Sequence, residues 1–313
     1  LLTVREQSRE YMTYAEEKMG AGEQATGVAL FSTVELHIFQ TYYGGFRLNF
    51  DKTEGIVNDY ELVNQMCEEA NSVKPWLIEQ GSSFDNGQGT LIGSMWQRII
   101  RMLGGTVDGV EYENKWGAYF KVPENTLLKA NEKNQIMTRT TAAELMSYGE
   151  RVTGVKALRY DGTEVEITAT KCVIVATGGY GANIQMVVDS NEYWDSEDLT
   201  LSIKTTNRSL AQGEGIVMGQ AVGADVVGMG WTQLMPLGWV DNGNLAEGKG
   251  ETVIYIRPSG HANAGRRYVD EAAERDVLSQ AAYAYGTEDG VYIELGNAGE
   301  NTSENHVEGR RYY

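Results

Sequence analysis

The run Lys171-Cys-Val-Ile-Val-Ala-Thr-Gly-Gly-Tyr-Gly-Ala-Asn183 constrains this chain more than any other stretch. Cys172 to Ala176 is short, unbroken, apolar and rich in β-branched residues, and glycines stop it. Such a pattern suits a strand buried on both faces, as in a parallel sheet, better than a half-exposed one. Gly178, Gly179 and Gly181 then allow a sharp turn and a close approach to another backbone or to a ligand. From the residues alone, a strand ending at a ligand and a plain tight turn both remain open.

At 313 residues the chain has room for one large or two ordinary domains. A net charge of -18 argues against nucleic acid and anionic membrane surfaces as partners, because both are polyanions. It leaves room for a small anionic substrate, since a few arginines suffice for a local positive site. The two cysteines, Cys67 in a helical pattern and Cys172 in the apolar run, read as buried small side chains rather than as a disulfide. His37, His261 and His306 are too scattered for a metal site or an obvious triad. No apolar run approaches the ~20 residues of a membrane span, and no signal peptide is visible. The expectation is a soluble protein, cytoplasmic or exported, and one that reads as a processed or excised piece.

Along the chain, helix and strand patterns alternate in a mixed α/β order. Residues 1–30 read as a helix and a loop, with Tyr42 to Gly45 as a further loop. Asn58 with Glu61 forms a capping-box pattern ahead of an apolar stripe at Val63, Met66, Cys67, Ala70 and Val73. Pro75 kinks that helix or begins a second one, Met95 to Leu103 reads as helical, and Pro123 suits a first helical position. Gln135 to Thr140 and Ala143 to Tyr148 read as strands. Val152 to Tyr160 and Thr163 to Thr168 flank Asp161-Gly162 as a hairpin. Further on come a helix from Gly213 to Val222, a strand at Asp225 to Met229 and a break at Pro236. A strand at Thr252 to Ile256, a loop at Ser259 to Gly265, a helix from Val269 to Tyr285, a strand at Val291 to Leu295 and a loose polar tail complete the pattern.

Four segments, in order, resemble one family. Ala176-Thr-Gly-Gly179 with Asn183 resembles the ATGG(F/Y)xxN segment of the fumarate reductase/succinate dehydrogenase flavoproteins. Thr206-Asn207 followed by Gly213-Glu-Gly-Ile216 is similar to their TTN…GDGI segment. Gln233-Leu-Met-Pro236 resembles the soluble branch, which includes the flavocytochrome-type fumarate reductases and urocanate reductase. Gly265-Arg-Arg-Tyr-Val-Asp-Glu271 followed by Arg275-Asp276 and Ser279 is similar to their GKRFVNE…RD..S helix entry. The resemblance spans roughly residues 58–285.

What the resemblance implies is an α/β fold: a partial Rossmann-like FAD-binding domain over 1–232 and the start of an inserted capping domain over 233–313. It implies FAD as cofactor, bound by Ala176, Thr177, Gly178, Gly179, Thr206, Asn207 and Glu214. The implied chemistry is hydride transfer from the flavin to the C=C bond of a small α,β-unsaturated carboxylate, with an unidentified electron donor. Such a reaction needs cations or hydrogen-bond donors at the carboxylate, and a proton donor opposite the flavin. Arg275 matches the family's catalytic arginine, described there as the general acid. Its charge is nearly permanent, so that role requires reprotonation by a relay. The milder reading is bidentate carboxylate binding. A simple i,i+4 pair with Glu271 is the plainer alternative. Gln233 and Met235 match substrate-site positions, and Met235 stands where many fumarate reductases have histidine, which argues against fumarate itself.

Other departures shape the expectation. Glu247, Lys249 and Glu251 lie where a proton relay should be, at a different spacing, and Pro258 to Ala264 looks inserted. No GxGxxG segment precedes the helix at Asn58, and no second flavin segment follows the cap. The chain therefore reads as the middle of a flavoprotein, inactive by itself. The competing expectation is a non-catalytic module that binds a small ligand or partner. A steroid-type flavin dehydrogenase would share the flavin segments without calling for a carboxylate-binding Arg275.

Overall fold

The computed structural model describes residues 1–22, 30–85, 87–90, 96–113, 115–236, 238–239, 242–245, 253–258, 260, 263–286, 292–296 and 311–312. The elements in chain order are α1 (Leu2–Gly20), α2 (Val34–Gly44), β1 (Arg47–Leu48), β2 (Gly55–Ile56), α3 (Tyr60–Glu79), β3 (Ser82–Phe84), β4 (Met102–Val107), β5 (Val110–Tyr112) and α4 (Lys115–Ala130). They continue with β6 (Thr140–Tyr148), β7 (Arg151–Arg159), β8 (Glu164–Thr168), α5 (Ile184–Asp189), α6 (Glu214–Ala221), β9 (Val253–Ile256), α7 (Arg275–Tyr285), β10 (Tyr292–Gly296) and β11 (Arg311–Tyr312). The chain divides into two compact units, one of Leu1–Thr90 and Met95–Gln135 and one dominated by Ile136–Tyr313.

In the first unit, β3, β4 and β5 form an antiparallel sheet on which α4 packs. Its core is Met102, Ala118 and Val122, with Leu77, Phe84, Val107 and Tyr112 packed around them. The start of α3 is capped by Asp59, whose Oδ1 accepts from Leu62 N–H at 3.1 Å. Asn58, the expected cap, instead donates its amide to the Thr41 carbonyl at 2.9 Å. Two adjacent Asx residues are equivalent by propensity, and the better-placed one wins. Only Val63 and Cys67 of the α3 stripe are buried, while Met66 and Val73 are half exposed. Tyr42 to Gly44, expected as a loop, is the last turn of α2. Pro75 and Pro123 both lie inside helices, α3 and α4, so Pro123 does not open its helix. Residues 96–101 are irregular and Met102 begins β4, so that stretch is not helical; Met95 lies outside the described residues.

In the second unit, β6, β7 and β8 make an antiparallel meander in which Thr140 faces Arg159 and Leu158 faces Glu164. The Asp-Gly turn is present with one residue more than the two-residue form. Arg159 N–H donates to the Thr163 carbonyl at 2.9 Å, and Gly162 takes the left-handed conformation with φ 84°. A turn closed by a left-handed residue is the three-residue hairpin solution. Residues 135–139 are irregular, and β6 starts only at Thr140.

Cys172 to Ala176 is not a strand, and it is not buried. Ile174 is 84% exposed and Cys172 is a free, exposed thiol. A strand exists only as one rung of a ladder, and among the described residues no strand pairs with this segment. Apolar β-branched composition reports what a segment is fit to bury, not whether a neighbour lies beside it. Asp225 to Met229 is not a strand either: it is irregular to Val227 and then turns, with Gly228 left-handed at φ 69°. A third sheet, β9–β10–β11, is antiparallel. Helix α7 begins at Arg275, not Val269, because residues 269–274 are taken up by turns in which Ala273 N–H donates to the Asp270 carbonyl.

Candidate functional site

Three segments of the second unit are drawn together by their own hydrogen bonds. Asn183 caps α5: its Oδ1 accepts from Met186 N–H at 3.1 Å, and its Nδ2 donates to the Gln212 carbonyl at 3.2 Å. Ala182 N–H donates to the Ala211 carbonyl at 2.9 Å, and Thr205 Oγ1 donates to the Gly181 carbonyl at 2.6 Å. The 176–183 and 204–215 motifs are thus one local structure, although about thirty residues separate them in sequence.

Glycines make the approach possible. Gly213 sits at φ 82° ahead of α6, and a Cβ there would meet Tyr180 Cβ at 2.8 Å. Gly215 lies directly on the Thr177 hydroxyl and Val175, with no space for a side chain. Gly178, at φ 76°, and Gly179 face open space instead. Ala176 to Gly179 are exposed, and Glu214, the first residue of α6, is exposed beside them. An exposed glycine backbone next to a helix N-terminus is a surface fit to receive a phosphate-bearing cofactor.

Arg275 is the first residue of α7, and its Nη1 donates to Gln233 Oε1 at 2.9 Å. The alternative pairing with Glu271 is taken by another arginine. Arg267 Nε donates to both Glu271 oxygens at 3.0 and 2.9 Å, Nη2 donates to Oε2 at 2.5 Å, and Tyr255 N–H donates to Oε1 at 2.9 Å. Burial pushes the Glu271 carboxyl up, but these donors outweigh it and hold the group below the usual carboxylate range. Arg275 is left oriented towards Gln233.

The first turn of α7 is fixed from the other side by Tyr193. Its hydroxyl donates to Asp276 Oδ2 at 2.9 Å and accepts from Gln280 Nε2 at 3.2 Å. Tyr193 belongs to an aromatic-rich core with Val187, Trp194 and Leu199. Trp194 Nε1 in turn donates to the Thr232 carbonyl at 2.7 Å, next to Gln233. A second core of Tyr255, Leu278 and Ala282, with Met235 and Trp239 against it, seats the opposite face of the helix.

These elements border a cavity of about 90 Å³ that opens to solvent. Thr206, Asn207, Gln233 and Met235, four of the residues singled out from sequence, line it together with Lys204, Thr232, Ser279 and Tyr283. Arg275 is not in the lining but hydrogen-bonds to Gln233, which is. Ala176 to Gly179 and Glu214 lie outside the lining, on the exposed glycine surface. Thr232 and Tyr193 carry no sequence signal of a role, since each contributes through a neighbour distant in the chain. Ser279 falls within the RD..S motif, which marks it without saying what it touches. Glu247, Lys249 and Glu251 lie outside the described residues. Among the described residues, no group of three His, Cys, Asp or Glu side chains is placed to hold a metal ion. No helix among them is long and apolar enough to cross a membrane.

Residues 26–301 match the FAD binding domain family, to which the chain belongs. It is 35% identical over 261 residues to NADH:acrylate oxidoreductase of Vibrio harveyi, covering 82% of this chain and 24% of that protein. It is 28% identical over 228 residues to urocanate reductase of Eggerthella lenta, covering 72% of this chain and 35% of that protein. The chain thus spans about a quarter to a third of the length of these curated relatives. Among solved structures, it matches the open conformation of a flavocytochrome c3 fumarate reductase with a TM-score of 0.58 and 21% identity, over 89% of this chain and 43% of that one. The fold is that of the fumarate reductase flavoproteins, and the cofactor of the family is FAD.

Proposed function

We propose that the protein reduces the C=C bond of a small α,β-unsaturated carboxylate, with Arg275 and Gln233 at the substrate. The observation that carries this is the hydrogen bond from Arg275 to Gln233, a residue that lines a cavity with Thr206 and Asn207. Bound in its reduced form, FAD would supply the hydride that the reaction needs. The remaining work falls to this chain's own side chains. Arg275 offers a planar, permanently charged donor fork to the carboxylate and to the negative charge that builds on it. Gln233 accepts one of its N–H groups and so fixes the plane of the fork. The α7 N-terminus, at which no side chain caps the first N–H groups, adds a favourable dipole end beside it. The exposed Ala176 to Gly179 backbone, with Glu214 near it, would hold the cofactor. The family position of Arg275 suits it to deliver a proton to the α-carbon, for which a relay has to return one.

The expected boundary between a flavin domain over 1–232 and a capping domain over 233–313 is part of this reading. It places Gln233, Met235 and Arg275 on the capping side. Steady-state kinetics of the FAD-loaded protein with acrylate-type acids test the reading. Arg275→Lys keeps the charge but not the fork, and is expected to lower kcat/KM by about 100-fold or more. A wild-type protein that holds FAD and turns over no unsaturated acid would sink it and favour the ligand-binding alternative.

A further inference from the structure

Tyr193 and Trp194 are adjacent in sequence, and each holds one side of the Arg275–Gln233 pair. The Tyr193 hydroxyl donates to Asp276 Oδ2 at 2.9 Å, on the residue that follows Arg275, and accepts from Gln280 Nε2 at 3.2 Å, one turn further along α7. Trp194 Nε1 donates to the Thr232 carbonyl at 2.7 Å, on the residue that precedes Gln233. The two rings meet edge to face with centroids 4.9 Å apart, and both residues are buried. The loop that carries them is itself fixed. Asn191 Oδ1 accepts from Trp194 N–H at 3.0 Å, its Nδ2 donates to the Trp194 carbonyl at 2.7 Å, and Glu192 N–H donates to the Gly230 carbonyl at 3.1 Å. A Cβ at Gly230 would lie 2.3 Å from the Ser190 carbonyl oxygen, so a residue with a side chain could not let the two segments come this close. The same loop follows α5, whose cap Asn183 ends the glycine segment, so one short run of chain leads from Ala176 to Gly179 towards the arginine.

We propose that Tyr193 is a positioning residue for the reduction: its hydroxyl sets the first turn of α7 so that the Arg275 fork stays in register with Gln233. The proposal rests on the reading that Arg275 takes the carboxylate. Arg275 has a long, flexible side chain, and one hydrogen bond to Gln233 does not determine where its backbone stands. No side chain caps the first N–H groups of α7, and the helix has only 11 residues, so its first turn is held largely from outside. The bond from the Tyr193 hydroxyl to the Asp276 carboxylate is of the charge-assisted kind, which is shorter and stronger than a neutral one. A bidentate contact tolerates little displacement, and a shift of about 1 Å at a reacting group can cost about 100-fold in rate. A displaced Arg275 keeps its charge and still attracts the carboxylate of the bound acid. What it loses is alignment with the further negative charge that builds up as the double bond is reduced, which is a transition-state effect.

The test is Tyr193→Phe in the FAD-loaded protein, which removes the hydroxyl and keeps the ring. Acrylate serves as substrate, a reduced viologen as electron donor, and rates are expressed per bound flavin. In the variant kcat is expected to fall by about tenfold or more while KM moves by less than about threefold. Asp276→Asn keeps an oxygen that can accept from the hydroxyl and should retain most of the turnover, whereas Asp276→Ala should fall with Tyr193→Phe. The double variant Tyr193→Phe with Asp276→Ala should lose less than the product of the two single losses, because both remove one contact. Leu199→Val thins the same core at a fully buried position without touching either bond. It should lower the unfolding midpoint and leave kcat per flavin unchanged. Wild-type kcat in Tyr193→Phe, or an equal loss in Leu199→Val, overturns the inference; if Arg275→Lys is impaired in the same assay, the proposed reaction still stands. A wild-type protein that reduces no unsaturated acid overturns both.

Discussion

Leu278 joins the stability of the second unit to the position of Arg275, and Leu278→Ala measures that link. Leu278 is 1% exposed, lies one turn beyond Arg275 on α7, and packs with Tyr255 and Ala282 under Met235 and Trp239. Truncating a leucine this deeply buried removes its transfer free energy and leaves a cavity, at a cost of about 3 kcal/mol within a range of about 2–5. For a unit of this size each kcal/mol moves Tm by about 2–4 °C, so the expected loss is about 6–12 °C. Val277→Ala is the control: Val277 is 42% exposed, and the change to a better helix former should stay within about 0.5 kcal/mol. Urea and thermal unfolding followed by tryptophan fluorescence would read both, because Trp239 packs against this core. A Leu278→Ala midpoint within about 1 kcal/mol of the Val277→Ala midpoint would refute the claim that this core seats the helix.

Two further perturbations test neighbouring parts of the account. Glu271 is held below the ordinary carboxylate value, so its contribution is complete above about pH 4.3 and is lost as pH falls through the lowered native value. Urea midpoints of wild type and Glu271→Gln should therefore differ by a constant amount at neutral pH and converge on acidification; a gap that widened in acid would contradict the assignment. Gly215→Ala places a methyl group on the Thr177 hydroxyl and should cost about 1–3 kcal/mol of overpacking. It should also weaken FAD binding, read by flavin fluorescence, and unchanged stability together with unchanged FAD affinity would show that the two motifs do not touch as described.

Local structure was legible in the sequence where local chemistry decides it. The Asp161-Gly162 turn, the strands around it and the glycine-led start of α6 depend on residues adjacent in sequence. Cys172 to Ala176 was misjudged because the need for a ladder partner is a non-local condition that no composition reports. The expectation that Asn58 caps α3 failed for a smaller reason. Both side chains can cap, and the Thr41 carbonyl decides which is free to do so. Gln233, Met235, Thr206 and Asn207 were singled out through motif order and line one cavity, while Arg275 lies outside its lining and hydrogen-bonds to Gln233. The pairing of Glu271 with Arg267 rather than Arg275 could not be read from spacing, since both arginines lie four residues from it.

The most direct test of the central claim is the oxidative half-reaction. The FAD-loaded protein would be reduced anaerobically and mixed with an unsaturated monocarboxylate, and the return of flavin absorbance followed in wild type and Arg275→Ala. The account predicts rapid, acid-dependent reoxidation with formation of the saturated acid in wild type, and a rate lower by about 100-fold or more in the variant. Reoxidation that ignored the acid, or that proceeded equally well without Arg275, would contradict it.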